Sequence, residues 1–322
     1  MQEQASKPLL SVAVPVYNHI QFIAKALDSI LLQKTNFDFE IVIGDDFSTD
    51  NTSDILKTYK SKFPDKINLL LAVKNQGVCN NAAGIYKNCR GKYIAILEGD
   101  DFWTDENKLQ KQIDFLENNP DYAGCFHDAM VAGNFDPQKT YSFSSEQCYT
   151  EFRYYSQFNR FRTDFFPWDL LQRNIIPSAS LVFRNNDLTD FFYQFRHVKL
   201  SLQWALHLYI IKGSKFRYFN ETWSVYNDHP EGVTKNKNLS KFNQSNLMIL
   251  KTLRKDSYYR YCRLDMNRAF LNEYREILYN TGSLNLSFLS FMKFHLLYRK
   301  YTIKLFFSES FYFFRLQRKK NK

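Results

Sequence analysis

The sequence predicts an α/β protein in which a mostly parallel sheet carries helices on both faces. Two observations lead to this fold class. In the first third of the 322 residues, short β-branched runs alternate with longer stretches whose apolar residues recur at helical spacing. Acidic residues directly follow two of these runs, and parallel α/β sheets bind their ligands at the carboxyl ends of the strands.

The first part of the chain predicts four strands and four helices. The predicted strands are Leu10–Val16, Glu40–Ile43, Ile67–Val73 and Tyr93–Leu97. The predicted helices are Ile20–Leu32, Thr52–Phe63, Val78–Cys89 and Lys108–Asn118. Because helices separate the strands, we expect the strands to pair in parallel.

The pattern changes in residues 135–166, which are rich in Ser, Tyr, Phe and Gln and which we interpret as an insertion. Behind it we predict a strand at Ser178–Arg184, a helix at Leu200–Ile211 and a strand at Lys215–Phe219. The sheet domain is thus expected to span residues 1–234. Residues 235–322 have a helical pattern and predict a helical, basic and aromatic C-terminal extension.

Composition narrows the class of protein. With 44% apolar and 24% charged residues, the chain is neither disordered nor a disulfide scaffold, and its five widely spaced cysteines contain no C-x-x-C pair. The net charge of +10 favours anionic partners, but no recognised nucleic-acid motif occurs, so we expect no nucleic acid. Without a long apolar window or a basic signal-peptide start, we expect a cytoplasmic protein.

Three carboxylates crowd together where the predicted strand Tyr93–Leu97 ends. They are Glu98, Asp100 and Asp101. Carboxylate oxygens at this spacing suit Mg²⁺ or Mn²⁺, and such an ion could neutralise the charge of a leaving diphosphate. The alternative is an acidic turn that caps the following helix.

A second acidic turn follows the strand Glu40–Ile43. Asp45 and Asp46 precede a Ser-Thr-Asp run that is a plausible N-cap for the next helix. Capping does not account for Asp45 and Asp46, whose carboxylates could accept hydrogen bonds from a base N–H or a ribose hydroxyl.

Three motifs, in this order, resemble the family 2 glycosyltransferases. They are SVAVPVYNH (Ser11–His19), IVIGDDFSTDNT (Ile41–Thr52) and GKYIAILEGDDFW (Gly91–Trp103). The resemblance continues more weakly to Ser224–Lys235 and does not cover the C-terminal region. It implies a Rossmann-like GT-A fold and metal-assisted transfer, with inversion, from a nucleotide-diphosphate sugar to a hydroxyl of a bacterial surface glycan or lipid-linked acceptor.

The resemblance also implies roles for individual residues. The nucleotide would lie against Pro15, Val16, Tyr17, Asp45, Asp46, Asn75, Gly77 and Asp100. The metal ion, Mg²⁺ or Mn²⁺, would be held by Glu98, Asp100 and Asp101. Trp103, Trp204 and His229 are candidates on the acceptor side, although core packing explains either tryptophan equally well.

The chain departs from the family pattern at two places. Many relatives carry an Arg where this chain has Asn80 or Asn81, so recognition of the base is expected to differ. The position that often holds the catalytic base is Gln203, which cannot accept a proton at neutral pH.

Two hypotheses follow from Gln203. Either another carboxylate supplies the base, for which the candidates are Asp187, Asp190, Glu221 and Asp228, or the protein binds nucleotide sugars without turnover.

Aromatic and basic residues alternate from Leu284 to Lys322. This pattern predicts either a helix that lies on the anionic inner face of the cell membrane, or a helical subdomain whose aromatic face packs on the sheet domain.

Overall fold

The computed structural model describes residues 7–133, 162–229, 239–279, 292 and 295–304. Across this part of the chain runs one nine-stranded sheet. Its strands are β1 (Leu10–Val16), β2 (Phe39–Asp45), β3 (Ile67–Leu71), β4 (Tyr93–Ile96), β5 (Phe102–Trp103), β6 (Tyr122–Gly133), β7 (Asp164–Phe165), β8 (Val182–Arg184) and β9 (Lys215–Asp228).

The predicted fold class is confirmed. The strand order is β3-β2-β1-β4-β8-β6-β9-β5, with β7 also paired to β9. The pairs β3-β2, β2-β1, β1-β4 and β6-β9 are parallel, so the central sheet is mostly parallel, while β8, β5 and β7 run antiparallel to their neighbours.

Helices cover both faces of this sheet. They are α1 (Ile23–Leu31), α2 (Thr52–Lys62), α3 (Val78–Asn88), α4 (Lys108–Asn118), α5 (Pro167–Gln172), α6 (Thr189–Phe195), α7 (Leu202–Ile210), α8 (Leu239–Leu253) and α9 (Arg263–Tyr279). Residues 295–304 are also helical. Among the described residues, no helix is long and apolar enough to cross a membrane.

The core consists of two layers separated by the sheet. Because side chains alternate along a strand, Val12 and Val14 of β1 face the layer that contains α1 and α4, whereas Ala13 faces the other layer. The second layer includes Ile94, Leu206 of α7 and Phe270 of α9. The described helices α8 and α9 therefore share a core with the sheet.

The strands after residue 120 differ most from the prediction. β6 was not predicted because it is buried on both faces, and such a strand has no polar–apolar alternation. β9 continues nine residues beyond the predicted end at Phe219, through the polar Asn220–Thr222, where its register with β6 shifts. A bulge of this kind hides the continuation of a strand from its sequence pattern.

Two further boundaries are corrected. The predicted strand Ser178–Arg184 begins as a short 3-10 helix at Ser178–Ser180, because the Ser180 backbone and hydroxyl both donate to the Pro177 carbonyl. The end of the predicted insertion, Asp164–Phe165, forms β7 of the sheet. Residues 135–161 of that insertion and the boundary at residue 234 lie outside the described residues.

Lys108 is an unusual member of the core at the start of α4. It is fully buried, its Nζ donates to Gln112 Oε1 at 2.6 Å, and it lies 4.2 Å from the centre of the Trp103 ring. Burial lowers the pKa of Lys108 to about 7.

Lys108 is expected to make the stability of the protein depend on pH. Between pH 7 and 9 the unfolded chain holds the Lys108 proton and the folded chain loses it, so the free energy of unfolding rises with pH. Relative to Lys108→Met, the wild type should gain up to about 1.4 kcal/mol per pH unit in denaturant titrations. Above pH 9 the buried thiol of Cys125, with its pKa raised to about 12, opposes this trend.

The matched control is Lys111→Met, on the same helix, whose side chain is 43% exposed. Its difference from the wild type should be constant over the same pH range. Parallel profiles for wild type and Lys108→Met would contradict the burial effect.

Candidate functional site

The carboxyl ends of β1, β2 and β4 form one edge of the sheet. Val16 at the end of β1 pairs with Asp45 at the end of β2. The loops behind them are joined to β1, because Asp46 N donates to the Val16 carbonyl and Gly99 N donates to the Pro15 carbonyl. The two acidic segments noted in the sequence and the end of β1 are thus brought to one crevice.

The acidic cluster lies directly after β4. Carboxylate oxygens of Glu98, Asp100 and Asp101 lie within 4.8 Å of one another. Asp101 is buried and its Oδ1 accepts from Asn227 N of β9 at 3.0 Å, while the Asn227 amide donates to the Asp100 carbonyl. The long strand β9 therefore fixes the backbone of the cluster.

Two histidines flank Asp100. His229 Nε2 lies 3.1 Å from Asp100 Oδ2, and His19 Nε2 lies 3.7 Å from the same oxygen. His19 reaches this position because Gly99 has no side chain, since a Cβ there would be 2.8 Å from His19 Nδ1. The glycine in the middle of the acidic motif is thus required by the histidine that packs on it.

The three carboxyl groups differ in how readily they ionise. Burial, with the charge of Asp100, raises the pKa of Glu98 to about 8, and burial with both neighbouring charges raises the pKa of Asp101 well above its usual value. Burial also opposes ionisation of Asp100, but His19 and His229 outweigh it and hold its pKa below the usual value.

These residues fit a divalent cation. Carboxylate oxygens are the ligands that Mg²⁺ and Mn²⁺ prefer. Burial and the neighbouring negative charges raise the pKa of two of the three carboxyl groups, and the buried Asn227 Oδ1 has no hydrogen-bond partner among the described residues. A bound cation would balance these negative charges.

Gln203 contacts this cluster from the first turn of α7. Its Nε2 donates to Glu98 Oε1. Ser201, immediately before the helix, adopts φ +59°, a left-handed conformation that is costly for a residue with a side chain and that recurs at functional sites. The side chain at the expected position of the catalytic base therefore lies in the site, but it is an amide.

The structure narrows the candidates for a catalytic carboxylate. Asp187 and Asp190 follow the end of β8 that pairs with the start of β4, so they lie at the opposite edge of the sheet. Glu221 lies seven residues before Asp228 on β9, about 20 Å away along an extended strand. Asp228 remains, next to His229.

Asp46, Asn75 and Gly77 come together at the other side of the crevice. The Asp46 carboxylate accepts from Gln76 N at 2.7 Å and from Gly77 N at 2.9 Å, and the Asn75 amide donates to the Asp46 carbonyl at 3.2 Å. Gly77 adopts φ +81°, which favours glycine. Asp46 therefore fixes the loop after β3 against the end of β2.

Asp45 ends β2, and its expected contact with a nucleotide stays a prediction. Asp45 is buried, its Oδ2 accepts from Ser53 Oγ at 2.6 Å, and its Oδ1 accepts from Ser48 N at 3.2 Å. Both oxygens are thus used within the turn that leads into α2.

The loops after β1 and β2 are joined by four hydrogen bonds from backbone N–H groups to side-chain oxygens. Asn18 N donates to Ser48 Oγ and Asn18 Oδ1 accepts from Thr49 N. His19 N donates to Thr52 Oγ1, and Ile20 N donates to Asp50 Oδ2. These cross-linked loops carry two half-exposed aromatic rings, Tyr17 and Phe47, and Phe47 has a left-handed backbone.

Two of the three acceptor-side candidates are corrected. Trp103 and Trp204 are buried, and their indole N–H groups donate to the carbonyls of Ala179 and Leu170, so neither ring can stack on a sugar. The third candidate, His229, contacts Asp100 in the acidic cluster.

The sequence reasoning missed His19 and Asn227. His19 ends the motif SVAVPVYNH, which was its only signal, and Asn227 lies on the part of β9 that was not predicted. Asn80 and Asn81, one of which is expected to replace an Arg of many relatives, both make structural contacts. Asn81 Nδ2 donates to the Gly44 carbonyl, and Asn80 Nδ2 donates to the Gln76 carbonyl.

Comparison with known sequences supports this geometry. The family model described as "Glycosyl transferase family 2" matches residues 11–185. The uncharacterized protein Rv1520 of Mycobacterium tuberculosis is 32% identical over 224 residues, which are 70% of this chain and 60% of that protein. The putative teichuronic acid biosynthesis glycosyltransferase TuaG of Bacillus subtilis is 36% identical over 110 residues, 34% of this chain and 42% of TuaG.

Solved structures share the fold. TarS 1-349 of S. aureus in complex with UDP superposes with a TM-score of 0.61 at 17% identity, covering 87% of this chain and 75% of that one. The mannosyltransferase PcManGT from Pyrobaculum calidifontis, in complex with GDP-Man and Mn²⁺, gives a TM-score of 0.54 at 14% identity, covering 94% and 84%. The likeness is one of fold and confirms the GT-A architecture.

The acidic cluster is expected to bind Mn²⁺ more tightly as pH rises. Below about pH 8 the ion must displace a proton from Glu98, so its apparent affinity in calorimetric titrations should rise about tenfold per pH unit for one displaced proton. Gln203→Ala removes a donor that lowers the pKa of Glu98, so the pH profile should move to higher pH.

The control for this change is Gln110→Ala. Gln110 belongs to a polar pair on the exposed face of α4, so its replacement should leave the profile unchanged. A pH-independent affinity for Mn²⁺ would contradict the displacement of a proton from Glu98 by the ion.

Proposed function

The chain belongs to glycosyl transferase family 2, and from this premise we propose that it transfers a sugar from a nucleotide-diphosphate sugar to a hydroxyl group. The observation that carries the proposal is the carboxylate cluster Glu98, Asp100 and Asp101 beside the loop that Asp46 holds. The acceptor we propose is a bacterial surface glycan or a lipid-linked precursor at the cytoplasmic face of the membrane, a class suggested by the name of the relative TuaG.

The donor would occupy the crevice between the two sides just described. The nucleoside would lie against Pro15, Val16 and Tyr17 at the end of β1, with Asp46, Asn75 and Gly77 opposite. The titles of the structural neighbours name UDP, UDP-GlcNAc and GDP-Man, which supports a nucleotide-diphosphate donor. None of them selects the nucleoside or the sugar for this chain.

Glu98, Asp100 and Asp101 would hold the divalent ion. When bound, Mg²⁺ or Mn²⁺ would neutralise the charge that develops on the leaving diphosphate. His19 and His229 keep Asp100 ionised, and Asn227 fixes the backbone of the cluster through both of its donors. The oxygens are thus oriented before any ligand arrives.

Inversion at the sugar carbon requires a carboxylate that takes the proton of the acceptor hydroxyl. Gln203 has no basic group, and its amide is bonded to Glu98. We assign the role to Asp228, which follows Asn227 at the end of β9, the strand that reaches the acidic cluster.

The second candidate function is donor binding without turnover. Gln203 is the observation that favours it, because an amide at the position of the family's base satisfies Glu98 without offering a base. Both candidates require the same donor crevice and differ only in the fate of the sugar.

Nucleotide binding is expected to depend on the acidic cluster. A nucleotide at about 100 times its dissociation constant should stabilise the fold by about 2.7 kcal/mol, a shift of several degrees. UDP, GDP, dTDP and CMP would be compared by thermal shift with and without Mn²⁺, on the wild type and on Asp101→Asn. One nucleotide should give a Mn²⁺-dependent shift that Asp101→Asn loses.

The control substitution is Asp54→Asn, on the exposed side of α2, which should keep the shift. No shift with any nucleotide in the wild type would count against a donor site.

Turnover separates the two candidate functions. If Asp228 is the base, Asp228→Asn should lower kcat for transfer by about 10²–10⁴-fold and leave the nucleotide shift intact. The measurement is the release of nucleotide from the donor that the thermal shift selects, in the presence of acceptor. Unchanged kcat would remove Asp228 from the mechanism, and a wild type that binds its donor but never releases nucleotide would favour the binding-only function.

A further inference from the structure

The described C-terminal helix, residues 295–304, is anchored on α9 by one aromatic side chain. Tyr301 is buried, and its ring stacks on Phe270 and Tyr274 with centroids 4.8 and 5.6 Å apart. The Tyr301 hydroxyl accepts from Arg254 Nη1 of the α8 C-terminus at 2.8 Å. One side of this helix therefore packs on the protein core.

The opposite side of the helix mixes apolar and basic residues. Leu296 is 62% exposed and Ile303 is 56% exposed. Arg299 and Lys300 lie between them at separations of three and four residues, which places all four on one face of a helix. We call these four residues the outer face.

The outer face carries positive charge without local neutralisation. Among the described residues, no carboxylate lies within ion-pair distance of Arg299 or Lys300. Lys304 follows on the same helix, and its pKa is lowered by burial and by the charges of Arg254, Lys300 and Arg263. Basic groups from α8, α9 and the C-terminal helix are therefore concentrated on one side of the molecule.

Exposure and composition elsewhere in the C-terminal region have the same character. Tyr261, two residues before Arg263, is 91% exposed, the most exposed large apolar side chain among the described residues. In sequence, residues 305–322 add six aromatic and five basic residues against one acidic residue. Exposed apolar side chains surrounded by positive charge are the composition of helices that lie in the interface of anionic membranes.

We propose that the outer face lies on an anionic lipid surface. Leu296 and Ile303 enter the boundary between headgroups and acyl chains, and Arg299 and Lys300 contact lipid phosphates. A protein partner would equally cover apolar residues, but the unneutralised positive charge favours a surface of negative headgroups. This inference is independent of the proposed function, because none of its residues contributes to the donor crevice.

The test is sedimentation of the full chain with vesicles, using phosphatidylglycerol mixed with phosphatidylcholine and phosphatidylcholine alone. The wild type should bind the anionic vesicles and not the neutral ones. Arg299→Gln/Lys300→Gln should weaken the partition by about fivefold for each lost charge. Leu296→Gln/Ile303→Gln should weaken it by about tenfold.

Matched controls make the same changes elsewhere. One control is Leu32→Gln, after α1, where the side chain is 67% exposed. The other is Lys57→Gln/Lys87→Gln, on the exposed sides of α2 and α3. Both controls should bind vesicles as the wild type does. Because all the substituted side chains are exposed, thermal midpoints should be unchanged, which shows that the variants fold.

Equal binding to neutral vesicles, or no binding by the wild type, would overturn the proposal. Vesicle binding that survives Leu296→Gln/Ile303→Gln but not Arg299→Gln/Lys300→Gln would overturn the insertion of the apolar side chains, because it would show attraction of the charges to the headgroups alone. The nucleotide-dependent thermal shift should persist in every variant, so failure here is distinguishable from failure of the donor site.

Discussion

The structure is organised around three carboxyl groups crowded at the end of one strand. Glu98, Asp100 and Asp101 follow β4, and buried like charges this close are unfavourable unless other groups compensate. Compensation comes from three distant segments: His19 after β1, Gln203 at the start of α7, and Asn227 with His229 at the end of β9. The fold brings these segments together at the edge of the sheet where a charged ligand can bind.

The order of the strands explains how this is achieved. β9 is far from β4 in the sheet, yet it is long enough to pass the antiparallel β5 and reach the acidic loop with its last residues. The bulges between β9 and β6 change the register midway. β9 therefore has two roles. Its first half pairs in the core, and its second half contacts the site.

The first half of the fold could be predicted from the sequence because its strands and helices obey simple periods. β1 and α4 match their predicted bounds, and the acidic residues after β2 and β4 identified the edge of the crevice. β6 and the second half of β9 could not be predicted, since burial on both faces and a bulge remove the alternation on which the prediction depends.

In the site, the resemblance located Asp46, Asn75, Gly77 and Gln203, which the structure gathers at the crevice. It did not indicate that the Asp45 oxygens bind the turn before α2 and the Asp46 oxygens bind the loop after β3, because two adjacent carboxylates in a sequence do not reveal which loop each one contacts. The expectation for Trp103 and Trp204 was wrong for a related reason, because an indole ring is equally suited to stacking on a sugar and to packing in a core.

If the nucleoside lies against Tyr17 as proposed, the cross-linked loops after β1 and β2 form the surface that contacts it. Four hydrogen bonds and the left-handed residues Asn18, Phe47 and Asn51 fix their shape before any ligand arrives. Because these loops are ordered before binding, little free energy is lost in ordering them. Such a surface would discriminate among bases by its shape. Adaptation to different sugars would then fall to side chains contributed by α7 and β9, leaving nucleoside choice as the more conservative property of the molecule.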